Sequence, residues 1–108
     1  MEIYDYYTSG GKNLIMEYVG KLETKERAEV LDAREQIRDY GLDAFEKLNT
    51  RQLEGKIWEV KLSKIRIMYV IVSEESVFFL NICRKQKGKT EKQELDKARR
   101  RAQKYELL

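Results

Sequence analysis

Apolar positions along the chain follow two different rhythms. Before Gly41 they recur at steps of three and four. Leu14, Ile15, Tyr18, Val19 and Leu22 form one stripe, and Val30, Ala33, Ile37 and Tyr40, helped by Leu31, form another. Two helices are predicted, the second capped by Thr24, carrying Glu26 in its first turn and closed by Gly41. Only a few polar residues separate them, so they should form an antiparallel hairpin. From Leu53 onward the pattern changes to runs of β-branched and aromatic residues, Leu53–Leu62, Ser63–Val72 and Ser76–Lys85, joined by short polar connectors. Three consecutive antiparallel strands follow from those short connectors. In the first run Trp58, Val60 and Leu62 alternate with Glu59 and Lys61, which predicts one buried face holding Trp58 and one wet face. The other two runs are apolar nearly throughout, as strands covered on both sides are. Residues 2–7 suggest a short Tyr-rich strand, broken at Thr8-Ser9-Gly10-Gly11. Residues 42–56 read as a connector tacked onto the core by Leu42, Phe45, Leu48 and Leu53. After a basic loop, Thr90 with Gln93 three residues on is a capping-box pattern, and Leu95, Ala98, Ala102 and Tyr105 draw a thin stripe along a last helix. The expectation is a single α+β domain over residues 1–108: an antiparallel sheet packed against an N-terminal helical hairpin, with a C-terminal basic helix.

Charge changes this picture more than composition does. Of the 22 basic residues ten lie between Arg84 and Lys104, against three of the 19 acidic ones. That stretch carries a local net of +7 and the rest of the chain a net of −4, although the whole carries only +3. A polyanion, nucleic acid above all, is the natural partner of such a tail; a solvated helix face is the bland alternative. With no His and a single Cys83, zinc sites of those ligands and Ser-His or Cys-His nucleophile pairs are excluded. Cys83 falls in an apolar strand and reads as an inert thiol. No metal or cofactor is expected. No apolar run is long enough to span a bilayer and the first residues lack an export-signal pattern, so the expectation is a cytoplasmic protein without a membrane partner.

Three motifs in order resemble the RelE/HigB superfamily of type II toxins, in particular its phage-type HigB-like branch. They are Leu53-Glu54-Gly55-Lys56-Ile57-Trp58-Glu59-Val60-Lys61-Leu62, then Arg66-Ile67-Met68-Tyr69-Val70, then Arg84-Lys85-Gln86-Lys87-Gly88-Lys89-Thr90 ahead of a helix with Glu94 and Ala98-Arg99. The resemblance covers nearly the whole chain and implies a RelE-like fold. It also implies an endoribonuclease that cuts mRNA on the ribosome and a cognate antitoxin of the helix-turn-helix, HigA-like kind. The chain departs from the family's pattern at Glu59, where relatives carry a second Lys, in lacking His, and in having no Tyr in the first turn of the last helix.

Cleavage of RNA through its 2′-OH needs a proton acceptor, charge to stabilise the phosphorane-like transition state, and a proton for the leaving 5′-oxygen. Fixed cations supply the second, and Arg grips phosphate oxygens bidentately. The resemblance places Lys61, Arg66 and Lys85, with Arg84 beside it, at the family's functional positions. Lys61 is then the candidate acid or base. Glu59 shares its strand face and would act as a base or pair with it. Arg66 interrupts an otherwise apolar strand, where an unpaired Arg is costly. Lys64, Lys87 and Lys89 would hold RNA backbone. Two alternatives remain: a ParE-like gyrase-inhibiting toxin, and an RNA- or ribosome-binding module without catalysis.

Overall fold

The computed structural model describes residues 1–108. The elements run β1 (Glu2–Asp5), α1 (Leu14–Gly20), α2 (Thr24–Tyr40), α3 (Leu42–Lys47), β2 (Thr50–Glu54), β3 (Ile57–Lys61), β4 (Ile65–Ser73), β5 (Ser76–Arg84) and α4 (Lys89–Lys104). They form one five-stranded sheet in the order β1-β5-β4-β3-β2. The fold is α+β, with the helical hairpin on one face and the basic helix α4 on the other. No helix is long and apolar enough to cross a membrane.

The stripes of α1 and α2 do what their spacing implies. Ile15, Val19, Leu22, Val30 and Ile37 pack on Val60, Ile67, Tyr69, Val77 and Phe79, all buried, in the larger core. A smaller core lies under α4, where Ala98 and Ala102 cover Ile57, Met68, Val70, Leu80 and Cys83. Small residues at 98 and 102 let the helix sit close to the sheet.

The structure departs from the sequence-based expectations at five places. The connector 42–56 holds a helix, α3, and an edge strand, β2. The run from Leu53 to Leu62 is not one strand: it turns at Gly55, whose φ of 54° is left-handed and favours glycine, so β2 folds back antiparallel on β3. The sheet is not wholly antiparallel, because β1 pairs parallel with β5, Glu2 opposite Ser76 and Asp5 opposite Phe79. Finally, β3 does not divide into one dry and one wet face. Ile57 and Glu59 look toward α4 and are buried, Glu59 at 3% exposure, while Trp58 at the edge of the hairpin side is 38% exposed. The period of two holds; a helix covers the side expected to meet water. The caps also differ, since Glu23 and Gly88 precede α2 and α4 and neither helix has a side-chain cap.

One ion pair ties the far end of β5 to the hairpin. Both Arg84 guanidinium nitrogens donate to the buried Glu26 carboxylate, at 2.7 and 2.9 Å. The Arg84 guanidinium holds the Glu26 carboxyl below its ordinary value of 4.5. A carboxyl depressed on folding contributes stability that is complete above the unfolded value and is lost as the pH falls through the folded one. Replacing Glu26 by Gln should therefore lower stability at neutral pH and flatten its acid decline below about pH 4.5. Urea midpoints across that range test this, and an acid limb unchanged from wild type would contradict it.

Candidate active site

Strand register builds the site. On the face toward α4, Lys61 of β3 lies directly opposite Arg66 of β4, which in turn lies opposite Cys83 of β5. The next row on that face runs Arg51, Glu59, Met68 and Asn81 from β2 to β5. α4 begins at Lys89, and its first turns reach the second row through Glu91, bonded to Arg51, and Glu94, bonded to Asn81, while Lys61 and Arg66 of the first row stay half-buried. The result is a cleft of about 180 Å³ walled by the first row, by the second row except Asn81, by Lys85 and Gln86 of the loop, and by Glu91 and Glu94 of α4.

The acids and the cations of the cleft are arranged differently. Every carboxylate is engaged. Arg51 donates to buried Glu59 at 2.8 Å and to Glu91 at 2.7 Å, so one guanidinium ties β2, β3 and α4 together. Glu94 accepts from Asn81 Nδ2 at 2.7 Å and pairs with Lys97 at 3.5 Å. Lys61, Arg66 and Lys85 by contrast enter none of the ion pairs of the molecule. Arg66 is half-buried, its Nη1 donating to the carbonyls of Leu62 and Ile65. Those two bonds aim the side chain and leave its other donors free of protein partners. Like charges directly opposite across a strand pair destabilise a sheet. The fold gains nothing from placing Lys61 against Arg66 with no carboxylate between them.

Burial pushes the Cys83 thiol up to about 12, so it stays protonated at neutral pH and is no nucleophile. No group of three or more His, Cys, Asp or Glu stands close enough to hold a metal ion.

The sequence-derived residues separate cleanly. Lys61, Arg66, Lys85 and Glu59 line the cleft. Glu59 pairs with Arg51, not with Lys61. Arg84 does not line the cleft: it is opposite Ile65 on the hairpin side, bound to Glu26. Lys87 and Lys89 are exposed on the loop and at the start of α4 and do not line the cleft. Lys64 is exposed at the turn between β3 and β4, among Glu23, Lys25, Glu26 and Glu29. Sequence reasoning missed Arg51, Asn81 and Glu91, which gain their place only through strand register and the docking of α4.

The cleft thus holds two sheet cations, Lys61 and Arg66, and the loop cation Lys85, none of them in an ion pair, beside Glu59, Glu91 and Glu94, which are all engaged by other side chains. The sequence profile of the family described as Phage derived protein Gp49-like (DUF891) matches residues 17–103, from within α1 almost to the end of α4. No curated protein matches the chain. The chain belongs to the phage-derived Gp49-like family, a RelE/HigB-like toxin family.

Proposed function

We propose that the chain is the toxin of a type II toxin–antitoxin pair, an endoribonuclease that cuts mRNA on the ribosome without a metal ion and is neutralised by a HigA-like, helix-turn-helix antitoxin. The observation that carries this reading is the opposition of Lys61 and Arg66, joined by Lys85, none of which enters an ion pair although Glu59, Glu91 and Glu94 line the same cleft. Such an arrangement costs stability in the free protein and becomes favourable once a phosphate enters.

In this reading the 2′-oxygen attacks phosphorus, the new oxygen–phosphorus bond forming as the bond to the 5′-oxygen breaks. The 2′-OH gives up its proton and the 5′-oxygen gains one. Arg66 and Lys85 bind the non-bridging oxygens, on which negative charge grows in the transition state. Lys61, across from Arg66, gives a proton to the leaving 5′-oxygen, and the proton of the 2′-OH passes to solvent water. Buried Glu59 is committed to Arg51, and together with Glu91 it fixes one wall of the cleft rather than meeting the substrate. Arg84 anchors the strand that delivers Lys85. Lys64, Lys87 and Lys89 hold flanking RNA.

The test is cleavage of mRNA in a purified translation reaction. Lys61→Ala should slow it by about 10²- to 10⁴-fold, the range for a proton-transfer group. An unchanged rate would remove Lys61 from the chemistry. Binding of ribosomes without any cleavage, by wild-type protein, would favour the non-catalytic module instead.

A further inference from the structure

The cleft uses few of the cations that crowd α4, and the fold takes the others to a second place. Tyr6, just past the end of β1, meets the C-terminal end of α4 more than ninety residues later in the chain. Its ring lies 4.4 Å from the Arg101 guanidinium carbon and 5.4 Å from the Lys104 ammonium, and edge-on to Tyr105 at 5.8 Å. Around it is a concavity of about 380 Å³ lined by Tyr6, Lys97, Arg100, Arg101 and Lys104. Four cations and an aromatic ring line it, and no acid does.

The four cations are not equivalent. Arg101 is half-buried and structural, donating to the Leu80 carbonyl at 2.9 Å and to Asn81 Oδ1 at 3.3 Å. Burial lowers its readiness to hold the proton, so an anion nearby would be welcome. Arg100 and Lys104 are exposed and enter no ion pair. Lys97 is bound to Glu94, and Glu94 lines the catalytic cleft. The concavity and the cleft therefore abut across one ion pair. From Glu94 to Lys104 the helix rises about 15 Å, which extends the positive surface well beyond the cleft.

We propose that the Tyr6–α4 concavity is a second subsite for the sugar–phosphate backbone of RNA, contiguous with the cleft and holding the strand through Arg100 and Lys104. It rests on the reading of the cleft as an RNA site. Tyr6 keeps Arg101 and Lys104 extended over its ring, so the subsite is in place before RNA arrives.

Anisotropy titrations with 2′-O-methyl oligouridylates, which lack the attacking hydroxyl, test this with the site intact. Oligomers of about 4 and about 12 nucleotides bracket the reach of one small site. In the Arg100→Gln, Lys104→Gln double variant the longer oligomer should bind about tenfold more weakly near physiological salt. Its plot of log affinity against log salt should be shallower by about 1.4, from about 0.7 for each lost contact. The shorter oligomer, held in the cleft, should be unaffected. Both side chains are exposed and outside the ion-pair network, and an unchanged urea midpoint confirms that the fold is kept. Sedimentation with ribosomes forms a second arm: a loss there alone assigns the subsite to ribosomal RNA, and a loss with the longer oligomer assigns it to the substrate strand. Unchanged binding in both arms overturns the proposal. Lys61→Gln with Arg66→Gln serves as the independent control, because failure of that pair to weaken the shorter oligomer would sink the cleft reading and not the subsite.

Discussion

Replacing Arg66 by Ala is expected to lower mRNA cleavage by about 10²- to 10³-fold, the loss seen when one preorganised donor to a developing oxyanion is removed. The side chain has no carboxylate partner, and two backbone carbonyls aim it, so its guanidinium is oriented before substrate binds. A phosphorane-like transition state carries more charge on its non-bridging oxygens than the ground state does. A fixed cation is therefore worth more to the rate than to binding. The fold should survive, because removing Arg66 also removes its repulsion with Lys61. Arg66→Lys should recover part of the rate, since it keeps the charge but loses the planar fork. Cleavage rates alongside urea midpoints separate these effects. An Arg66→Ala protein that folds and still cuts at the wild-type rate would remove Arg66 from the chemistry.

The second large effect concerns stability. Asp5→Ala should destabilise the domain by about 3–5 kcal/mol, as breaking one side of a buried pair does. Arg34 of α2 donates to both oxygens of Asp5, at 2.7 and 3.0 Å, and the two side chains are 11% and 7% exposed. Asn13 also donates to Asp5, at 3.1 Å, while its own oxygen caps α1 at Met16. One carboxylate thus joins β1, the start of α1 and the middle of α2. Its removal leaves a guanidinium over Phe79 with no partner. Replacing both partners with apolar residues, Asp5→Leu with Arg34→Met, should recover most of the loss. Urea unfolding of the two single variants and the double variant measures this. Equal destabilisation by single and double variants would contradict it.

These two networks mark what the sequence did and did not disclose. The stripes of α1 and α2 and the β-rich runs after Gly55 were legible because burial imposes periods of 3.6 and 2. The pairing of β1 with β5 was not, because it joins residues more than seventy positions apart and leaves no local mark. α3 and β2 were hidden for a related reason: both are short, and Gly55 sits inside what read as one continuous run. The cationic row of Lys61 and Arg66 came from motif resemblance, whereas their direct opposition came from register. Arg84 shows the limit of motif transfer. Adjacent strand residues face opposite sides, so β5 turns Cys83 toward α4 and Arg84 toward the hairpin, where it pairs with Glu26, while Lys85 reaches the cleft from the loop just past the strand. Arg51 could not have been singled out, since its importance lies in Glu59 being buried, and that depends on α4 covering β3.

The most direct test of the account is the mapping of mRNA 5′ ends in a purified translation reaction with this protein, run with and without ribosomes. New ends at codon-phased positions, present only with ribosomes and absent with Arg66→Ala, are the expected result. Growth arrest by the protein with no new RNA ends under either condition would contradict it, and would turn attention to gyrase or to ribosome binding alone.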